Sequence, residues 1–478
     1  MIETILKYYK ARKEYFIFLF IVLLYVCTRF TVLPSGDSVV NITQIENYDI
    51  YSRSTHFTFH LLGVGFYSVL HFFFGFSGVI CTEIMLITVS VIGALLFYNV
   101  LKEIFPDRNI PVITVLVYSF SSGIWRFSVQ SEYVVIVPSV ALISFYFFQK
   151  NKYLISGLFL GFGFLASPFV LLMSPFYLYF LKKDDKNVRK IVGLIAGFMI
   201  VSLLVNIFTY EETVKGNWSY NMIIPYYFKF LRPARMIMML LYGYIRSFHI
   251  IIPFILLGLF LLFKINRKLF WITIIIFIFH LPVTANEARQ GAYQFGVYPF
   301  FAIAAGIGIF KLFEKRKYVI QILLVIFVIL NFLIVNSEKT YSNNLVESYI
   351  KLNFNKNIAD SSIVFTYHHT KLLKHYAPKF YVAGLTDEFN EYKLRSLFSE
   401  WEGSRIDTLM ESKRDKYLLE TGIRMPDDAL KVKFPSIFSK QGALVKGYGK
   451  IVLEKYMKGK TFILLPEYNI DVYKIIDN

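Results

Sequence analysis

The sequence predicts a polytopic α-helical membrane protein of about 11 transmembrane helices plus an in-plane first-loop helix, with a small C-terminal extracytoplasmic α/β domain. Three observations lead there. Hydrophobic residues make up 56% of the 478 and charged ones only 18%, whereas a soluble chain carries about 25% charged residues. Mean hydropathy is +0.51, and 50 Phe with 34 Tyr exceed what a soluble core uses. Apolar runs near the ~20 residues that cross a bilayer recur along the first 336 residues and then stop.

The net charge of +18 invites a nucleic-acid reading, so its location matters. After residue 336, 22 Lys and Arg stand against 18 Asp and Glu, which leaves +4 there and +14 in the first 336 residues. The excess belongs to the apolar part, where cytoplasmic loops collect Lys and Arg. No nucleic-acid motif accompanies it. Cys27 and Cys81, the two cysteines, lie in apolar stretches and can build neither a disulfide framework nor a zinc site. The basic N-terminus precedes a long apolar run without a small-residue cleavage site, and reads as a cytoplasmic tail and first span.

Eleven apolar runs qualify as spans: 15–33, 78–101, 110–125, 133–148, 153–166, 169–181, 191–208, 250–263, 269–283, 293–310 and 318–335. The two around Ser167-Pro168 are short and could form one broken pair. A further run, 57–76, holds His60, Gly63, Gly65, Ser68, His71 and Gly75. If it lies in the interface as an amphipathic helix, six basic clusters share one side: Lys7 to Lys13, Lys102 and Arg108, Lys150 and Lys152, Lys182 to Lys190, Lys264 to Lys268, and Lys311 to Lys317. If it spans, they scatter over both faces. The in-plane reading puts the N-terminus inside and loops 34–77 and 209–249 outside. It also divides the chain into a membrane domain, 1–336, and an exterior domain, 337–478. In the exterior domain, strand-like runs at 362–366, 380–383, 461–465 and 472–476 alternate with helical segments such as 391–398.

Carboxylates at a membrane boundary are expensive and tend to be functional. Asp37 follows the first span in Pro34-Ser35-Gly36-Asp37-Ser38, where its alternative role is a helix cap. Glu46, Asp49, Arg53 and His56 come next in the same loop. Glu132 sits in an exterior turn with Arg126 and Gln130, where the alternative is a salt-bridged loop residue.

The order of these motifs resembles a known superfamily. One span leads to Ser-Gly-Asp-Ser at 35–38, then to Thr-His-Phe-Thr-Phe-His at 55–60, and Ser-Glu-Tyr at 131–133 ends the next exterior turn. This is similar to the GT-C integral membrane glycosyltransferases, closest to the branch of protein O-mannosyltransferases and aminoarabinose transferases. The resemblance covers roughly residues 1–335. It implies that Asp37 is the catalytic loop acid and that Glu132-Tyr133 corresponds to a second acidic motif. His56-Phe57-Thr58 stands where relatives have a His-Pro-Pro stretch, and Ser167-Pro168 replaces a His-His pair.

The resemblance also implies a polyprenyl-phosphate-linked sugar donor and an acceptor hydroxyl on a protein, lipid or glycan, in a bacterial cytoplasmic membrane. Asp37 would deprotonate the acceptor, with Glu132 beside it. Arg289, Arg126 and Arg53 would hold the donor phosphate, since guanidinium offers a bidentate fork. Each Arg could instead anchor to lipid headgroups, as could Arg232, Arg235 and Arg246. His56, Glu46, Trp218 and Tyr226 are candidate substrate contacts, the aromatics having an interfacial belt as their alternative. No cofactor is expected, although a divalent metal stays open; His368-His369 and His375 lack partners at ligand spacing. No phosphate-binding glycine loop for a nucleotide sugar is present. A transporter or flippase of lipid-linked saccharides, and a glycan polymerase or ligase, are the competing readings. Transporters place ionisable groups near mid-bilayer, whereas these spans hold almost no carboxylate apart from Glu83.

Overall fold

A computed structural model of the chain describes residues 16–33, 35–50, 56–181, 187–215, 236–237, 239–285, 292–366, 370–384, 409, 411–419, 460–469 and 472–477. The chain divides into two compact units. The first comprises residues 1–31 and 42–337, and the second residues 32–41 and 338–478.

The first unit is helical. It begins with α1 (Phe16–Cys27) and takes the C-terminal part of α2 (Gly36–Glu46) before α3 (Phe57–Phe74) and α4 (Gly78–Ile104). It continues through α5 (Asn109–Phe120), α6 (Ser122–Ser128), α7 (Ile136–Gln149) and α8 (Tyr153–Ala166). A 3₁₀ stretch (Pro168–Phe176) leads into α9 (Tyr177–Phe180), then α10 (Asn187–Lys215), α11 (Ile252–Ile265), α12 (Arg267–Ala285) and α13 (Tyr298–Phe313). The last helix, α14 (Lys317–Phe354), runs 38 residues, of which 317–337 belong to this unit and 338–354 to the second. Among the described residues, α3, α4, Asn187–Leu204, Gly243–Ile265 and α14 are long and apolar enough to cross a membrane.

Most predicted runs form helices near their expected bounds, but the run 110–125 is bent and the run 318–335 continues as α14 to Phe354. The run 110–125 is not one straight span, because α5 and α6 meet at 64°. Ser121 leaves the helical region at ψ 134° while its hydroxyl donates to the Tyr118 carbonyl at 2.8 Å, so the ladder stops and restarts. Between α8 and α9 the break falls at Ser167, whose backbone is extended (ψ 136°) ahead of a Pro that cannot continue α8's hydrogen bonds.

Helices in lipid gain little from apolar burial against one another, so close backbone approach matters. Gly157 and Gly197 let α8 and α10 touch: a Cβ at either would strike the Leu194 or Leu154 carbonyl. Gly258 and Gly308 do the same for α11 and α13, against the carbonyls of Ala304 and Phe254. Basic residues cluster at helix ends. Lys150 pairs with Glu103, and Lys268 donates to the last carbonyls of the α9 region, Tyr179 at 3.1 Å and Leu181 at 2.7 Å.

The second unit contains a five-stranded mixed sheet of order β2-β1-β3-β5-β4. β1 (Ile363–Thr366) is followed by α15 (Thr370–Tyr376) and β2 (Tyr381–Gly384). β3 (Lys416–Leu419) lies parallel on β1's other side. β4 (Lys460–Leu464) and β5 (Val472–Asp477) complete it antiparallel. β1 is an interior strand, paired in parallel on both sides, and is buried throughout, as expected of a parallel strand covered on both faces. The four strand-like runs form strands, and β3 is additional. The helical segment expected at 391–398 lies outside the described residues.

Candidate functional site

The exit of α1 is held by neighbours on three sides. The Trp125 indole donates to the Thr28 hydroxyl at 2.8 Å, and the Phe30 amide donates to the Val129 carbonyl at 3.1 Å. The Thr31 amide donates to Glu83 Oε1 at 2.9 Å, and Arg29 lies 3.8 Å from the same carboxylate. Thr31 has φ 62°, a left-handed backbone that a β-branched residue adopts only when its surroundings enforce it. Glu83 is fully buried. It is the one span carboxylate the sequence isolates, and its cost in an apolar setting is the signal that could have marked it.

Phe30's partner Val129 opens the turn that carries Glu132. Arg126 Nε donates to Gln130 Oε1 at 2.9 Å, and the Glu132 amide donates to the Gln130 carbonyl at 2.6 Å. Glu132 is buried, at 7% exposure, in extended conformation just before a 3₁₀ turn at Tyr133–Val135.

Tyr133 stacks on His56, ring centroids 3.6 Å apart and planes at 23°. His56 Nδ1 lies 3.1 Å from the Ala166 carbonyl; a carbonyl only accepts, so Nδ1 carries the proton. Two residues on, the Thr58 hydroxyl donates to the Phe162 carbonyl at 2.6 Å, fixing the start of α3 on the end of α8. Three stretches distant in sequence, at 56–58, 132–133 and 166–168, thus meet. Tyr133 and Ser167 line a narrow crevice there with Phe169, His280, Phe295 and Gly296.

Asp37 belongs to the second unit. The Ser38 amide donates to Ser35 Oγ at 3.1 Å, and the Val39 amide to the Ser35 carbonyl at 3.2 Å. That is the N-cap pattern, so Ser35 caps α2. Asp37 is exposed in the first turn. Glu46, at the other end of α2, accepts the Gly78 amide at 2.8 Å and thereby caps α4, where a carboxylate also suits the helix dipole.

Arg53, Arg289, Trp218 and Tyr226 lie outside the described residues, as do Arg232 and Arg235. Among the described residues, no group of three or more His, Cys, Asp or Glu could hold a metal ion. Sequence reasoning singled out Glu83 without a role, and missed its contacts with Thr31 and Arg29, Tyr133's stacking and, in the second unit, Tyr376.

By sequence, no family model matches the chain, and no curated protein does. Solved structures do match. ArnT from Cupriavidus metallidurans bound to undecaprenyl phosphate is 9% identical, with a TM-score of 0.60 over 97% of this chain and 98% of that one. The same protein in the apo state gives 10% and 0.61 over the same shares. At such identity the likeness is one of fold, and it spans both units. The chain is a polytopic helical membrane protein with the fold seen in ArnT.

Proposed function

We propose that this chain is a glycosyltransferase that moves a sugar from a polyprenyl-phosphate donor to an acceptor hydroxyl at the extracytoplasmic face of a bacterial cytoplasmic membrane. The observation that carries the reading is the convergence of His56, Glu132-Tyr133 and Ala166-Ser167. The first two lie in stretches by which the sequence resembles the superfamily, the third stands where relatives carry a His-His pair, and they meet on a fold that, in ArnT, has been seen with undecaprenyl phosphate.

In this reading Asp37 takes the proton of the acceptor hydroxyl while the oxygen attacks the anomeric carbon. The bond from that carbon to the phosphate oxygen breaks, and the lipid phosphate departs with the electron pair. It leaves well once cations neutralise it, so Arg126, with Arg53 and Arg289, matters more than a strong acid. Glu132 and His56 orient the sugar. The membrane domain is residues 1–336 and the exterior domain 337–478, with the N-terminus inside because that places all six basic clusters in the cytoplasm. In that arrangement α3 lies in the interface, although its length and hydropathy would also allow crossing.

The test is transfer in proteoliposomes from a panel of undecaprenyl-phosphate-linked hexoses and pentoses, read as released undecaprenyl phosphate. The reading expects turnover with at least one donor and loss in Asp37→Asn. Donor moved across the bilayer without cleavage would instead establish the flippase.

A further inference from the structure

The segment carrying Asp37 does not cluster with the helices that flank it in sequence. Residues 32–41 belong to the compact unit formed by 338–478. The contact that ties them there is specific: the Leu33 amide donates to the Tyr376 hydroxyl at 3.1 Å. Leu33 is buried, at 1% exposure, so its N–H needs a partner, and leaving it unmade would cost the full desolvation penalty. Tyr376 is the last residue of α15, whose Leu372 and Leu373 are fully buried. The hydroxyl therefore sits on a well-packed βαβ element. Burial also pushes the Tyr376 hydroxyl up from its ordinary value, so it stays protonated and its oxygen remains a neutral acceptor at physiological pH.

Four residues beyond Leu33 comes Asp37, after the Ser35 cap has started α2. Ser38, Val39 and Asn41 are buried while Asp37 is exposed, so the helix has a defined face and the carboxylate projects from the other one. Fixing the peptide at Leu33 fixes where that helix begins, and misplacement of a reacting group by ~1 Å can cost ~10²-fold in rate.

We propose that Tyr376 is a positioning residue, and that the C-terminal domain serves the reaction by holding the Asp37 segment through its hydroxyl. The domain is then part of the catalytic apparatus, not a cover or a docking module alone. This rests on the reading of Asp37 as the base.

The experiment uses full-length protein in nanodiscs. In the wild type, hydrogen exchange under rising guanidinium should show amides 38–41 losing protection together with β1, as one cooperative unit. Loss of protection together with α4 would overturn the tether. In Tyr376→Phe, exchange of the 33–41 peptide should rise roughly two- to tenfold, the effect of one hydrogen bond, while peptides of α4 and α7 stay unchanged. With whichever undecaprenyl-phosphate sugar of the panel the wild type consumes, kcat should fall about tenfold or more with donor KM unchanged. Unchanged exchange in 33–41 would overturn the proposal, as would unchanged kcat in a protein whose Asp37→Asn variant is inactive. An active Asp37→Asn variant would sink the reading of Asp37 instead, and the exchange data would still decide the tether.

Discussion

Asp37 and Ser35 stand two residues apart, and the base proposed at Asp37 and the cap observed at Ser35 are separable tasks that substitution can tell apart. Ser35 accepts the Ser38 amide, so Ser35→Ala should cost the ~0.5–2 kcal/mol typical of a lost N-cap. For a unit of this size that is several degrees in melting temperature, at roughly 2–4 °C per kcal/mol. Asp37→Asn leaves both cap bonds intact. It removes one charge from the first turn, where the macrodipole makes that charge worth ~0.3–1 kcal/mol. Activity should run the opposite way. A general base contributes ~10²–10⁴-fold, or about 2.7–5.4 kcal/mol of barrier, so Asp37→Asn should be nearly inactive and Ser35→Ala should keep most of its turnover. The assay is donor cleavage beside a melting curve for each purified variant, with undecaprenyl phosphate binding as a control that neither should change by more than a few-fold. Full turnover in Asp37→Asn would refute the assignment of the base. A melting loss larger in Asp37→Asn than in Ser35→Ala would refute the assignment of the cap.

Three further outcomes follow from the geometry. Glu83→Gln keeps an acceptor for the Thr31 amide but strips Arg29 of its counter-charge, so the single variant should lose ~3–5 kcal/mol; the double variant Arg29→Gln with Glu83→Gln should recover part of it, and equal melting of single and double variants would deny the pair. If Arg126 contacts the donor phosphate, Arg126→Ala should weaken undecaprenyl phosphate binding at least tenfold while Gln130→Ala, which removes only the turn's internal bond, leaves it near wild type; equal losses would make Arg126 a turn-builder. In the second unit, burial pushes the Tyr417 hydroxyl up to about 12. The protonated form favours folding, so the stabilisation is complete below pH ~10, the unfolded value, and is lost as pH rises towards 12. A guanidinium midpoint flat from pH 10 to 12 would contradict it.

The helical framework was legible because lipid demands long apolar runs, and those runs are visible without a partner. What escaped was set by single polar groups. The bend between α5 and α6 depends on where the Ser121 hydroxyl turns, and Ser-Ser-Gly reads equally well as a continuous span. β3, Lys-Tyr-Leu-Leu between charged neighbours, has neither alternation nor length, and it becomes a strand by pairing with β1 and β5. At the site, a capping turn at 35–38 was foreseeable, but Asp and Ser cap alike, so only coordinates could assign the cap to Ser35. The same ambiguity hid Glu46's bond to Gly78. The stacking of Tyr133 on His56 joins residues 77 positions apart, and motif resemblance pointed at both without any spacing that could bring them together.

The ion pair between Arg29 and Glu83 bears on how the protein is made. α4 must enter the bilayer carrying a carboxylate, at a cost of up to ~2.5–3.5 kcal/mol for an ionised residue at mid-span and less near an end. Its counter-ion lies 54 residues earlier, beyond the end of α1. At ~5–20 residues per second, Arg29 emerges from the ribosome roughly 3–10 seconds before Glu83. A guanidinium already in place offers the carboxylate a partner as α4 packs, so the contact offsets part of the cost of bringing Glu83 into an apolar setting.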